Sequence, residues 1–408
     1  MAKFAGAVTA AQGFQAAGVH AGIKTSNHTK KDVAMIYSTV PCVVAGVFTT
    51  NVVKAAPVRY DMEIVKKGVA RAIVVNSGNA NACTGQQGMD DVKETAEYAG
   101  GLMGINSDEV LVCSTGVIGH TLPMDRIKEG IASAHSALSD SPEGGHDAAQ
   151  AILTTDVYLK EISYTIDLDG VPVTIGGIAK GSGMICPNMA TMLAFITTDA
   201  SIEGNVLKKL MKEAADLSFN QISVDGDMST NDTMLMMANG LAGNAKIEEG
   251  TKNYDLFKEA LLKITAYLAK KIARDGEGAT HLFEAEVINA PDEKSARKIA
   301  KSIVSSNLVK AAIFGKDANW GRIICAAGYA GVDFDPSLVD IYLKSANGSI
   351  LVAQNGGGLE FNEEEALDIL KEENVFAVVD LKSGNASGKA WGCDLTYDYV
   401  KINADYRT

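Results

Sequence analysis

Thr191 stands where the run Lys180-Gly-Ser-Gly-Met-Ile-Cys-Pro-Asn-Met-Ala-Thr-Met-Leu-Ala-Phe-Ile-Thr-Thr-Asp-Ala200 changes character. Before it, Gly181, Gly183 and Pro187 rule out a regular helix or a central strand; after it, Met192 to Ile196 reads as a short buried strand. A threonine hydroxyl is a weak nucleophile until a base takes its proton, and the α-amine of a chain end, with a pKa near ~8, is such a base. Cutting the Ala190–Thr191 bond would make Thr191 that end. The same pattern is also what a Gly-rich turn feeding a core strand looks like.

Other segments carry polar groups at element ends. Glu109 to Cys113 reads as a strand ending in Ser114-Thr-Gly-Val-Ile-Gly119, where a glycine lets the backbone approach a developing oxyanion; a turn capped locally by Thr115 explains it as well. The strand Arg71 to Asn76 runs into the turn-forming stretch 77–82. Glu277 follows directly on a helix that stops at Asp275-Gly276. Ser223 to Thr233 alternates Asp with Gly but lacks both the spacing and the final glutamate of a calcium loop, so it reads as a polar loop.

The run Lys180-Gly-Ser-Gly-Met184 with Pro187-Asn-Met-Ala-Thr-Met-Leu193 closely resembles the signature of the ornithine acetyltransferase family, also called glutamate N-acetyltransferases, and further family-like segments spread over nearly the whole chain. Cys186 departs from the Ala usual there, a small change in volume. The resemblance implies self-cleavage into 1–190 and 191–408, with Thr191 as nucleophile and Thr115 and Gly116 as oxyanion hole. It implies substrate contacts at Thr154, Lys180, Thr191, Glu277, Asn403 and Thr408. Lys180 suits an α-carboxylate and Glu277 a distal ammonium. The implied reaction is ping-pong transfer of acetyl from N-acetylornithine to glutamate in arginine biosynthesis, with acetyl-CoA as a second donor in some relatives and no bound cofactor. The implied assembly is a heterotetramer of two α and two β chains.

These residues need a scaffold, and the periodicity supplies it. Val33 to Tyr37 and Cys42 to Phe48 read as two strands, with no helix before residue 60. Helices are expected near 89–103 and 123–138, with a helical end at Ala148 to Leu153 before Thr154-Thr-Asp156. Asp169-Gly170 marks a hairpin between 161–168 and 171–178. Ser201 suits the N-cap of a helix burying Leu207, Leu210, Met211, Ala214 and Leu217. The clearest helix, 254–274, carries the stripe Phe257, Leu261, Ile264, Leu268 and Ile272. A strand at 285–288 and a helix burying Ala296, Ile299, Ala300 and Ile303 follow, then the polar loop 315–322. Strands at 338–343, 350–353, 375–380 and 388–397 with a helix at 363–371 complete the chain; tails normally fray, but the resemblance, through Asn403 and Thr408, implies that this one is ordered. Many hairpin signals and few β-α-β units predict an α+β fold; the resemblance implies stacked β-sheets flanked by helices.

Composition bounds the alternatives. With 37 basic and 50 acidic residues the net charge is −13, which opposes nonspecific binding to nucleic acid or anionic membranes. No run approaches the roughly 18 apolar residues of a membrane helix, which makes the cytoplasm the expected location. Six cysteines without C-x-x-C read as reduced, mostly buried thiols, and no metal site is expected. Phosphate-loop, dinucleotide and H-E-x-x-H motifs are lacking. Two rival readings stay open: a self-processing amidase or peptidase with the same N-terminal threonine, and a non-catalytic amino-acid binding protein whose chain stays intact.

Overall fold

Asp169 and Gly170 both take positive φ, 55° and 85°, the backbone pair that a two-residue hairpin turn needs to match strand twist. They join two of the strands that carry the site. The computed structural model describes residues 6–24, 27–186 and 192–405. Ala190, Thr191 and Thr408 lie outside the described residues.

The first half runs β1 (Phe14–Val19), β2 (Val33–Phe48), α1 (Ala56–Lys67), β3 (Val69–Asn79), α2 (Gly85–Met103), β4 (Val110–Val117), α3 (Met124–Ser136) and α4 (Pro142–Ala151). The hairpin β5 (Lys160–Leu168) and β6 (Val171–Lys180) follows, and then come β7 (Leu193–Thr198), α5 (Gly204–Leu217), β8 (Ile222–Ser223), β9 (Thr233–Ala238) and α6 (Lys252–Arg274). Next are β10 (Leu282–Ala290), α7 (Glu293–Ser305), α8 (Asn307–Phe314), α9 (Trp320–Gly328), β11 (Asp340–Ser345), β12 (Gly348–Gln354) and β13 (Gly357–Gly358). The chain continues through α10 (Glu363–Leu370), β14 (Asn374–Asp380), β15 (Ala386–Cys393) and α11 (Tyr397–Asp405).

The strands form two mixed sheets flanked by helices, the α+β arrangement expected. One has the order β4-β3-β2-β9-β7-β6-β5, with β1 paired to β2; the other has the order β13-β12-β11-β14-β10-β15-β8. β3 and β4 are parallel, as are β7 and β9. Because β9 and β7 lie between β2 and β6, segments from both sides of residue 190 are woven into one sheet.

The predicted stripe of α6 is fully buried, each such side chain contributing roughly 1.5–3 kcal/mol. Ile264 and Leu268 press on Gly177 of β6, where a Cβ would meet them at 3.4 and 3.2 Å. Farther along, Lys270 reaches the second sheet: its Nζ lies 5.1 Å from the Trp391 ring centroid and 2.9 Å from Glu284. Helix α6 therefore ties the two sheets together. Val92 and Ala96 of α2, with Ile127 and Ile131 of α3, cover Met35, Ala72, Val74 and Val112 of the first sheet.

Several local expectations change. A helix does begin before residue 60, because Pro57 fits the first turn of α1 and a left-handed Gly68 stops it. The two strands expected at 33–37 and 42–48 are one, with the register shifting between Tyr37 and Cys42 around Pro41. The cap of α5 is Glu203, whose side chain accepts from the Val206 N–H, not Ser201. The last strand ends at Cys393, and the tail is the helix α11. Cys42, Cys113 and Cys393 are buried as expected; Cys83 and Cys325 are exposed and Cys186 is half-buried. Among the described residues no helix is long and apolar enough to cross a membrane.

Candidate active site

Lys180 ends β6 with its side chain almost fully buried, an environment that disfavours an ammonium unless acceptors converge on it. They do. Its Nζ donates to the Thr154 hydroxyl at 2.7 Å, lies 3.4 Å from the Thr115 hydroxyl, and faces Asp156 at 3.7 Å. Three of the sequence-derived residues, from β4, the loop after α4 and the end of β6, thus meet on one side chain.

Asp156 is the deeper anchor. It accepts from Lys160 Nζ at 2.8 Å, the Gly181 N–H at 2.6 Å and the Thr154 N–H at 3.1 Å. Burial alone would raise its carboxyl, but Lys180 and Lys160 outweigh that and hold it well below the ordinary carboxylate range. Lys160, fully buried, reaches Asp275 at 2.5 Å on its other side. Asp275 also accepts from the Val157 and Tyr158 N–H groups; burial still pushes its carboxyl up, against the pull of Lys160.

The same Asp275 links this cluster to Glu277. Ser182 donates its hydroxyl to the Asp275 carbonyl at 2.7 Å, and the Glu277 N–H donates to the Ser182 carbonyl at 3.1 Å. The loop leaving Lys180 and the loop leaving α6 are therefore joined backbone to backbone. Glu277 lies so close to Gly183 that a Cβ there would run into its carboxylate. Its Oε2 accepts from Asn403 Nδ2 at 2.8 Å, bringing the exposed face of α11 to the site.

That contact is held from behind. Asp394 accepts from the Thr280 and His281 N–H groups at 2.9 and 3.0 Å, the Thr280 hydroxyl at 2.5 Å and His281 Nδ1 at 3.0 Å. Burial works against its charge, but these bonds, that of His281 foremost, hold the Asp394 carboxyl below its ordinary value. Thr396 completes the join through the Gly278 carbonyl at 2.9 Å, and its Oγ1 accepts from the Tyr399 N–H in the first turn of α11.

Thr115 and Gly116 lie inside β4, not in a turn after it, opposite Ser77 and Gly78 of β3. Gly116 has φ +135°, and a Cβ there would overlap the backbone of Gly78 and Asn79. Only glycine fits this irregular ladder. The adjacent polar groups are locked: Ser114 donates to Asn76 at 2.6 Å, and Asn231 Nδ2 donates to the carbonyls of Ala80 and Ser114 at 2.6 and 2.8 Å. The segments 76–82 and 223–233 thus pack together beside the Thr115–Gly116 pair.

On the far side of 187–191, the Thr233 N–H donates to the Met192 carbonyl at 3.1 Å. Its neighbour Asp232 is buried, and neither carboxylate oxygen has a hydrogen-bonding partner among the described residues. Burial pushes that carboxyl well up; the Met192 N–H and the Thr49 hydroxyl offset part of the rise without reaching hydrogen-bond geometry. Before the segment, Asp225 accepts from the Met184 and Ile185 N–H groups at 2.6 and 2.8 Å. The two flanks of 187–191 are thereby held from the 223–233 loop, one by the Asp225 carboxylate and the other by the Thr233 N–H, and among the described residues no cluster of three His, Cys, Asp or Glu side chains is placed to hold a metal.

Thr115, Gly116, Thr154, Lys180, Glu277 and Asn403 thus fall along one connected wall, while Ala190, Thr191 and Thr408 lie outside the described residues. The sequence reading missed Asp156, Lys160, Asp275 and Asp394. Thr154-Thr-Asp156 marks a helix end and Asp275 a helix stop, but nothing local announces that two such aspartates share one buried lysine. The loop 315–322 makes local bonds: Asn319 caps α9, and Arg322 donates to the Leu308 carbonyl.

The ArgJ family profile matches residues 15–408. An arginine biosynthesis bifunctional protein from Caldanaerobacter subterraneus subsp. tengcongensis is 56% identical over 403 residues, 99% of each chain. The protein of the same name from Bacillus subtilis is 47% identical over 407 residues, 100% of this chain and 98% of the relative. In a crystal structure of such a protein from Bacillus halodurans, a chain 48% identical superposes with a TM-score of 0.51, covering 53% of this chain and 100% of that one. A match that runs through every wall of the site, from β3 and β4 to α11, leaves one assignment: this chain belongs to the ArgJ family.

Proposed function

We propose that the chain is an amino-acid acetyltransferase of arginine biosynthesis, moving acetyl from N-acetylornithine to glutamate through an ester on Thr191. The observation that carries the reading is the pairing of opposite charges along one short loop. Lys180 and the Gly183–Glu277 contact are three residues apart, a span of at most about 11 Å, and the loop leads on into 187–191. A substrate with an α-carboxylate and a distal ammonium matches those two poles.

In the first event the Thr191 hydroxyl attacks the Ala190 carbonyl, the peptide nitrogen leaves as an amine, and water opens the ester. This gives 1–190 and 191–408. The share of this chain matched by the Bacillus halodurans chain, 53%, is the share that 191–408 occupies, which supports the division. The freed α-amine then takes the hydroxyl proton as Thr191 attacks the acetyl carbon; Thr115 and Gly116 hold the oxyanion, and ornithine leaves with the proton. Glutamate's amine attacks the ester in the second half and restores the hydroxyl. Acetyl-CoA as a further donor, an assembly of two α and two β chains, and action in the cytoplasm belong to the same reading, which the word bifunctional in the relatives' names supports for the second donor.

The test is to give purified protein N-acetylornithine with glutamate and measure both products. N-acetylglutamate and ornithine in equal amounts are expected; acetate without N-acetylglutamate would establish the amidase instead, and no turnover with an intact chain would establish the binding protein.

A further inference from the structure

Thr154 is gripped from two sides. Lys180 donates to its hydroxyl and Lys30 Nζ donates to its carbonyl, each at 2.7 Å. On the Lys30 side lies a cavity of about 190 Å³, walled by Lys24, Asn27, Lys30, Ser77, Gly78 and Thr155. It adjoins the oxyanion strand as well: Gly78 is the ladder partner of Gly116, and a Cβ on Gly78 would meet the Lys24 side chain at 3.2 Å. The cavity therefore sits one residue from Lys180 on one wall and one strand from Gly116 on another.

Its charge is positive. Asp32, the acid on its wall, is occupied by the Ala21 and Ile23 N–H groups at 2.6 and 2.8 Å and by Asn27 Nδ2 at 3.0 Å. Asp156, beyond Thr154, is shared between Lys160 and Lys180. Burial lowers the Lys30 ammonium below its ordinary value; the pull of Asp156 opposes that, and repulsion from Lys180 and Lys24 adds to it. An anion entering the cavity would relieve that repulsion.

The proposed reaction, on which this inference rests, has a difficulty that the cavity resolves. N-acetylornithine ends in an ammonium, glutamate in a carboxylate, and a carboxylate set against Glu277 is repelled. We infer that the Lys24–Lys30 cavity is a second distal subsite, which takes the side-chain carboxylate of the acceptor while Glu277 and Asn403 serve the donor's ammonium. One oxyanion hole and one nucleophile then serve two side chains of opposite charge that leave in different directions.

The two half-reactions separate the inference from the reading beneath it. Acetylation by N-acetylornithine is followed by the mass of 191–408, and transfer to glutamate by N-acetylglutamate formed. In Lys24→Gln, loss of a charged contact should raise KM for glutamate about 10-fold or more with acetylation by N-acetylornithine unchanged; in Lys30→Gln, which also loses the bond to the Thr154 carbonyl, the rise for glutamate should exceed any change in acetylation. The preference for glutamate over glutamine should shrink in the same variants, which loss of folding alone would not produce. Equal losses in both halves, or an unchanged glutamate preference, would overturn the subsite. A rise in KM for acetyl-CoA with that for glutamate unchanged would assign the cavity to the donor's phosphates and overturn it too. If the unmutated protein transfers no acetyl at all, the proposed reaction itself fails.

Discussion

Lys180 and Lys160 lie 3.7 and 2.8 Å from the same buried carboxylate, Asp156, so one acid both anchors the fold and sets the charge at the site. Lys160 carries that arrangement on to Asp275, and through Ser182 to the backbone of Glu277. Charge placement and loop placement are therefore one structural feature.

Asp156→Asn should cost about 3–5 kcal/mol, because it leaves two lysine ammoniums facing a neutral group. The sign of the pH effect follows from the depressed Asp156 carboxyl. Its contribution is fully present above the unfolded value near ~3.9 and is lost as pH falls through the lower folded value. Asp275, raised by burial, acts oppositely, its contribution growing as pH falls. Urea midpoints measured from neutral pH downward should show an acid loss in the native protein that is smaller in Asp156→Asn.

Asp394→Asn should loosen the 277–281 loop without touching substrate. The expected result is a loss of about 1–3 kcal/mol in stability and a weaker acetylation half-reaction with N-acetylornithine, in the same direction as Glu277→Gln. Transfer to glutamate should change less in both variants, and half-reaction kinetics on fully cleaved protein check it.

Thr115→Ala should lower kcat about 10²- to 10³-fold if its group stabilises the oxyanion, with cleavage verified first. Gly116→Ala is a different experiment: with φ at +135° and the Gly78 backbone in the way, it should lower the melting temperature before any catalytic effect can be read. An unchanged melting temperature would contradict the packing described for β3 and β4.

Cleavage should not release the fragments. β7 and β9 lie between β2 and β6, so 191–408 supplies two inner strands of a sheet whose remaining strands belong to 1–190. Size-exclusion chromatography without denaturant should give one peak holding both chains in equal amounts; separate elution would contradict the topology.

What the sequence disclosed was local. Asp169-Gly170 announced its hairpin, and the 3.6-residue stripe from Phe257 to Ile272 announced the buried face of α6, since both signals lie within a few residues. Lys180 and Glu277 were legible through motif and position. Asp156 and Asp275 were not, because their meaning depends on Lys160, a residue 115 positions from Asp275 that lies just before the expected strand 161–168 and is fully buried. The continuous β2 was hidden because Pro41 looks like a break and is accommodated where the ladder shifts register. The tail helix α11 was missed because none of its residues is buried, so no apolar stripe marks it.

The central claim is that Thr191 becomes a chain end and then carries the acetyl group. The most direct measurement is the denatured intact mass of the protein before and after treatment with N-acetylornithine alone, with fragment sequencing of the heavier product. The account predicts two chains, the second beginning at Thr191 and gaining the mass of one acetyl group on that residue, while Thr191→Ala stays a single unmodified chain. A single 408-residue chain in the native protein, or an acetyl group on any residue other than Thr191, would contradict it.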